Sequence, residues 1–75
     1  MRLTEAVSLR IKDLCKGRSI TVYALAKMGG IEKNTLYQIK DAGDVKLSTV
    51  QDVCATFGIT LKEFFDSPLF DEVID

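Results

Sequence analysis

The sequence has no histidine, no tryptophan and one proline, and only two of its 75 residues are cysteine. The spacing of Cys15 and Cys54 fits no common zinc motif, and no histidine could complete a ligand set. We therefore expect no metal site and no cofactor. Both thiols fall where helices would be at least partly buried, so reduced, packed side chains are favoured over a disulfide or a redox role.

Arrangements typical of enzymes and of membrane proteins are also missing. No serine or cysteine has a visible base, and no glycine-rich phosphate loop follows a strand, so we expect no enzymatic activity. The carboxylates of Asp71, Glu72 and Asp75 are most simply solvated charge. No apolar run approaches the roughly 20 residues that cross a bilayer, and the first residues lack the apolar core of a signal peptide. A cytoplasmic protein without membrane contact is expected.

The charges are divided unevenly along the chain, although the net charge is only −1. Residues 1–40 carry eight cationic and three anionic side chains, whereas residues 41–75 carry two cationic and eight anionic ones. The halves therefore have net charges of +5 and −6. A basic front and an acidic back could orient the molecule on a polyanion, although ordinary solvated surfaces would give the same pattern.

Helical periodicity predicts five short helices joined by tight turns, in a domain over residues 1–67 followed by an apolar and acidic tail over 68–75. Leu3, Val7, Ile11 and Leu14 form the apolar stripe of the first helix, which Gly17 ends as a cap. Thr21 caps a second helix from Val22 to Met28, Gly29-Gly30 forms a turn, and a third helix covers about 32–41. The fourth helix runs to Phe57, and Ser48 with Gln51 could form a capping box near its start. A clearer box, Thr60–Glu63, opens the fifth.

The segment Ile20–Ile39 resembles the helix-turn-helix of the Cro/phage-repressor family, also called the Xre family. Its Leu25-Ala26, Gly30-Ile31 and Thr35-Leu36-x-x-Ile39 carry the likeness, and Phe57-Gly58-Ile59-x-Leu61-x-x-Phe64-Phe65 extends it. The resemblance implies an all-α, compact five-helix lambda-repressor-like DNA-binding domain with the helix-turn-helix at helices 2–3. The core it implies is Leu25, Ala26, Ile31, Leu36, Ile39, Val50, Phe57, Leu61 and Phe64.

The resemblance also implies which residues contact DNA. Base reading in the major groove would fall to Lys33, Asn34, Tyr37 and Gln38, whose types suit base edges. Phosphate contacts would fall to Thr21, Thr35 and Lys46. Five positions depart from the family pattern. Val22 replaces a glutamine, Glu32 replaces a better N-cap, Cys15 and Lys40 replace an arginine–glutamate pair, and Gly29 replaces a small apolar residue.

The predicted function is sequence-specific DNA binding by a transcriptional regulator whose partner is double-stranded DNA. A homodimer is expected, since one such domain contacts only a few base pairs. Its apolar surface could be Phe65, Leu69, Phe70, Val73 and Ile74, unless these residues fold back on helices one and five. The alternative function is a helix-turn-helix scaffold for protein interaction, antitoxin-like or adaptor, which the low pI, Val22 and Glu32 favour.

Overall fold

A computed structural model describes residues 1–74, so Asp75, the end of the predicted tail, lies outside the described residues. The described chain is all-helical, as predicted, with six α-helices and one 3₁₀ helix. They are α1 (Leu3–Gly17), α2 (Val22–Gly29), α3 (Lys33–Tyr37), α4 (Ile39–Ala42), α5 (Leu47–Phe57), α6 (Leu61–Phe65) and the 3₁₀ helix (Pro68–Glu72). The predicted third helix is thus divided into α3 and α4. No helix within residues 1–74 is long and apolar enough to cross a membrane.

The core forms where α1, α2 and α5 meet and is closed by α6. Its most deeply buried large side chains are Val7, Leu25, Val50, Val53 and Phe64. One predicted core position is wrong, because Leu61 at the start of α6 is 45 % exposed. Leu3, the first residue of the predicted apolar stripe of α1, is 46 % exposed. Among its own residues the five-residue α6 buries only Phe64, so that ring, rather than Leu61, anchors it to the core.

Both cysteines are free and buried. Cys15 lies on the same face of α1 as Val7 and Ile11, because residues four apart share one side of a helix. Burial raises the pKa of the Cys15 thiol. It also raises the pKa of the Cys54 thiol, with the positive charge of Arg10 acting in the opposite direction. The two side chains therefore behave as small apolar groups, as expected.

The helix ends follow the predicted signals in part. The capping box at α6 is present, because the Glu63 amide donates to the Thr60 hydroxyl at 3.0 Å and the Thr60 amide donates to the Glu63 carboxylate at 2.9 Å. The box predicted at Ser48 is wrong, since α5 begins at Leu47 with Lys46 as its N-cap residue. Gly17 ends α1 without a positive φ, and Ser19 takes the left-handed conformation instead, at φ 56°.

Residues after α6 fold back onto the first helix. The 3₁₀ helix lies against α1, Phe70 packs against the core, and its ring centroid is 4.9 Å from that of Phe65. The amino group of Met1 donates a hydrogen bond of 3.1 Å to the Glu72 carbonyl. Much of the apolar surface of the predicted tail is therefore used within the same chain.

Candidate nucleic-acid interface

Helices α2 and α3 meet across a three-residue turn. Gly30 adopts a left-handed conformation (φ 63°), and the Ile31 amide donates to the Ala26 carbonyl at 2.9 Å. Glycine adopts this conformation without the steric penalty of a Cβ atom. Ala26 is buried, and its small side chain allows the two helices to approach closely. The chain thus builds the predicted helix-turn-helix.

The segment after the turn buries its apolar side chains and exposes its polar ones. Leu36 and Ile39 are 4 % and 3 % exposed and hold the segment against the core. The four residues predicted to read bases all lie on the outer surface, namely Lys33, Asn34, Tyr37 and Gln38. Their donors and acceptors are therefore accessible to a partner rather than used within the domain.

Glu32 caps the start of α3 more effectively than its residue type suggested. Its carboxylate accepts a hydrogen bond of 3.2 Å from the Thr35 amide in the first turn, and the same amide also donates to the Glu32 carbonyl at 3.0 Å. The expectation of a poorer cap was based on serine and threonine being commoner at this position. The longer glutamate side chain reaches the same amide, and its negative charge suits a helix N-terminus.

Gln38 lies at the junction of α3 and α4. Its ψ of −2° departs from the helical value, and its carbonyl accepts hydrogen bonds from both Asp41 (3.0 Å) and Ala42 (2.9 Å). The prediction of one continuous helix over 32–41 is therefore wrong in detail, because a local dihedral change divides it. Gln38 still lies one helical turn after Asn34, since its amide donates to the Asn34 carbonyl at 3.0 Å.

Two of the predicted phosphate-binding residues come together in one groove. Thr35 and Lys46 line an open groove of about 500 Å³ between α3, the loop before α5 and the start of α5. Gln38 and Ser48 line the same groove, together with the carboxylate of Asp44. The arrangement places one cation and several hydroxyl and amide groups at one edge of the exposed segment, by which we mean residues 33–40.

Thr21 stands apart from that groove, at the start of α2. Its hydroxyl oxygen accepts a hydrogen bond of 3.0 Å from the Ala24 amide, which confirms Thr21 as the N-cap. Because the oxygen acts as the acceptor, the hydroxyl proton remains available to a second acceptor. An oxygen of a phosphate group could take that proton.

A second, smaller concavity of about 140 Å³ lies between α1 and the other side of the exposed segment. It is lined by Ser8 and Lys12 from α1 and by Tyr37 and Lys40 from the segment. Lys40 is the residue that replaces the glutamate of the family's usual pair, and it was not expected to lie near Lys12. No sequence signal relates the two lysines, because the packing of α1 against α4 brings them together.

The sequence matches the family model of the Cro/C1-type HTH DNA-binding domain over residues 10–68, more than half of the chain. The chain belongs to the Cro/C1-type HTH DNA-binding domain family. The crystal structure of the prophage Lp1 protein 11 is similar to it, with 28 % identity and a TM-score of 0.80. That similarity covers 97 % of this chain and all of the other. None of the curated proteins matches the chain significantly.

Two arginines of the basic half are used inside this Cro/C1-type domain. Arg10 donates to the carbonyls of Phe64 and Glu63, at 2.7 and 2.8 Å. Arg18 donates to the Phe57 carbonyl at 2.7 Å, and its guanidinium lies 5.1 Å from the centroid of the Phe57 ring. Each arginine bonds carbonyls at a helix C-terminus, where cations are favoured. The net charge of residues 1–40 therefore overstates the number of cationic side chains that are free to contact DNA directly.

Tyr23 was not among the predicted site residues, yet it lies beside one of them. Its side chain is 47 % exposed. The ammonium groups of Lys27 and Lys33 lie 5.5 and 5.6 Å from the centroid of its ring. The spacing of four between Tyr23 and Lys27 could have indicated the first contact. The second crosses from α2 to α3, so only the tertiary structure reveals it.

Proposed function

We propose that this Cro/C1-type DNA-binding domain is a sequence-specific transcriptional regulator whose α3 segment enters the major groove. The exposed row of Lys33, Asn34, Tyr37 and Gln38, on a segment anchored by buried Leu36 and Ile39, carries the proposal. An anchored segment presents its outer side chains in a defined geometry. Base-edge recognition depends on such geometry.

The residue types in the row suit distinct base edges. An ammonium group such as that of Lys33 donates to guanine O6 and N7, and the amides of Asn34 and Gln38 can pair with adenine N6 and N7. Tyr37 can pack on a thymine methyl group or donate to a phosphate. The row therefore offers hydrogen-bond donors, acceptors and an aromatic surface to one short stretch of the duplex.

Backbone contacts on both sides of the row would set its position on the duplex. Thr35 and Lys46 lie in the larger groove, and Thr21 offers its free hydroxyl proton from the start of α2. We add Lys12 and Lys40, which line the concavity on the other side. Contacts with phosphates fix orientation and supply affinity without reading sequence.

Dimerisation would place two recognition segments in successive major grooves, about 34 Å apart on the duplex. Of the five residues first assigned to a dimer contact, Leu69, Phe70 and Val73 are half-buried within the chain. Phe65 and Ile74 are 36 % and 89 % exposed. We therefore assign the contact to Phe65 and Ile74.

The decisive experiment is selection of bound duplexes from a random pool. It should yield one recurring half-site, and paired half-sites at a constant spacing would indicate a dimer. Single changes of Lys33 or Gln38 to Ala should then cost roughly 1–3 kcal/mol on the selected duplex and relax one base position each. If changing Lys33, Asn34 and Gln38 together leaves binding intact, the assigned reading surface is wrong.

Salt dependence separates phosphate contacts from base contacts. The slope of log K against log salt is negative, and each lost phosphate contact should reduce its magnitude by about 0.9. We expect this reduction for each of Lys46→Gln, Lys12→Gln and Lys40→Gln. Lys62→Gln is the matched control, because Lys62 is exposed on α6 and lines neither groove beside the exposed segment. Failure of the parent protein to bind any duplex at low salt would favour the protein-interaction module instead.

A further inference from the structure

The ring of Tyr23 is a shared contact for two lysines that start from different helices. Lys27 follows Tyr23 by one turn of α2, whereas Lys33 is the first residue of α3. Both ammonium groups lie within the distance at which the negative face of an aromatic ring attracts a cation. Tyr23 itself stands in the first turn of α2, next to Val22 and two residues after the proposed phosphate contact Thr21.

A lysine at the start of an exposed helix would otherwise sample many rotamers. Its stem has four rotatable carbons, and ordering such a side chain on binding carries an entropic penalty. Attraction to the Tyr23 ring restricts the Lys33 ammonium group before any partner arrives. A restricted donor loses less freedom on binding, and it selects more sharply among the base edges that it meets.

We propose that Tyr23 is a positioning residue for DNA recognition, whose ring holds the Lys33 ammonium group in place to donate to a purine edge, with guanine preferred. The inference rests on the proposed function. It gives Tyr23, a residue of α2, a role in base selection, whereas the predicted base-reading residues all follow the turn. Lys27, held by the same ring, would add positive charge beside the contact without reading a base.

The ring contact can be tested without DNA. Aromatic ring currents shift nearby protons, so the Cε methylene protons of Lys27 and Lys33 should resonate away from their positions in the urea-unfolded protein. Tyr23→Leu should return both signals towards those positions, and Tyr23→Phe should preserve the shift. Unshifted lysine signals in the parent protein would overturn the inference.

The effect on recognition needs a double-mutant cycle on the selected duplex and on duplexes with single-base changes. Tyr23→Leu should weaken cognate binding about 2- to 5-fold, the size of an exposed cation–π contact, and relax the same base position as Lys33→Ala. In the Lys33→Ala background it should have no further effect at that base. Tyr23→Phe should match the parent, because the ring and not the hydroxyl is required.

Three results of the binding experiments would overturn the proposal. Equal losses for Tyr23→Phe and Tyr23→Leu would show that the hydroxyl contacts DNA directly. Additive effects of Tyr23→Leu and Lys33→Ala would show that the two side chains act independently. Either of these two results would leave the proposed regulator function intact. The third result, absence of DNA binding by the parent, would contradict the regulator function as well as the role of Tyr23. Thermal unfolding of each variant confirms that changes in binding do not come from loss of the fold.

Discussion

The Nε group of Arg10 donates a hydrogen bond of 2.7 Å to the carbonyl oxygen of Phe64, 54 residues further along the chain. The same guanidinium donates a second bond, of 2.8 Å, to the Glu63 carbonyl. These carbonyls lie in the last turn of α6, where cations are favoured, and the Glu63 carbonyl also accepts a bond of 3.3 Å from the Asp66 amide. Arg10 therefore links the first helix to the last α-helix and removes itself from the surface offered to DNA.

Replacement of Arg10 should lower stability rather than DNA affinity. We expect Arg10→Met to reduce the free energy of unfolding by about 2–3 kcal/mol, because it removes two charge-assisted bonds and leaves the part-buried Phe64 carbonyl without this donor. Arg10→Lys should recover only part of the loss, since an ammonium group lacks the planar fork of the guanidinium. Urea denaturation provides the measurement. Lys12→Met, on an exposed position of α1, is the control, and an equal loss in that variant would contradict the assignment.

Gly29, where the family usually has a small apolar residue, is explained by a neighbour on α5. A Cβ atom at Gly29 would lie 2.5 Å from the Thr56 hydroxyl oxygen, which is held by a bond of 2.8 Å to the Asp52 carbonyl. We expect Gly29→Ala to destabilise the parent by about 1 kcal/mol or more through this clash. In a Thr56→Ala background the loss should shrink to near zero, because alanine favours the helix by about 0.5–1 kcal/mol while the Ile31 side chain, 3.2 Å from the Cβ position, must still shift. Thermal unfolding of the parent, the two single variants and the double variant tests the coupling. Additive effects of the two changes would refute it.

The buried thiols should make stability depend on alkaline pH. Burial raises the pKa of Cys15 and Cys54 in the folded state, so the unfolded chain loses its thiol protons first as the pH rises. The contribution of the protonated thiols to the free energy of unfolding is therefore complete below the ordinary thiol pKa of about 8.5 and declines above it. Urea unfolding from pH 7 to 10 should show a steeper decline for the parent than for the Cys15→Ala, Cys54→Ala double variant. Parallel curves would contradict the role of the thiols.

Two variants near the end of the chain should separate effects on folding from effects on association. Phe70→Ala should lower the unfolding temperature, because Phe70 packs against the core and beside Phe65. Ile74→Ser should leave that temperature nearly unchanged, since Ile74 is 89 % exposed. If Ile74 contributes to a dimer, the mass measured by light scattering should fall with this variant alone. An unchanged mass at all concentrations would remove Ile74 from the proposed contact.

Local signals in the sequence were sufficient for most of the helices and for the turn that joins α2 to α3, although not for the break at Gln38. Apolar periodicity, the caps at Thr21 and Thr60 and the glycine at position 30 act over a few residues, so their effects are visible in the chain itself. The outward placement of Lys33, Asn34 and Gln38 followed from the burial of Leu36 and Ile39 one helical turn apart. The family resemblance, confirmed by the match over residues 10–68, rests on the same short-range pattern.

Long-range packing decided what periodicity could not express. The bonds of Arg10 and Arg18 to distant carbonyls, the meeting of Lys12 with Lys40, and the placement of Lys33 over Tyr23 all join residues on different helices. Each depends on how helices pack and on where long, flexible side chains find partners. Hydrophobic spacing specifies which face of a helix is buried, but it does not specify which charged group lies opposite it. For that reason the charge pattern of the chain suggested a broad basic surface, and only the folded molecule showed which cations are free to meet DNA.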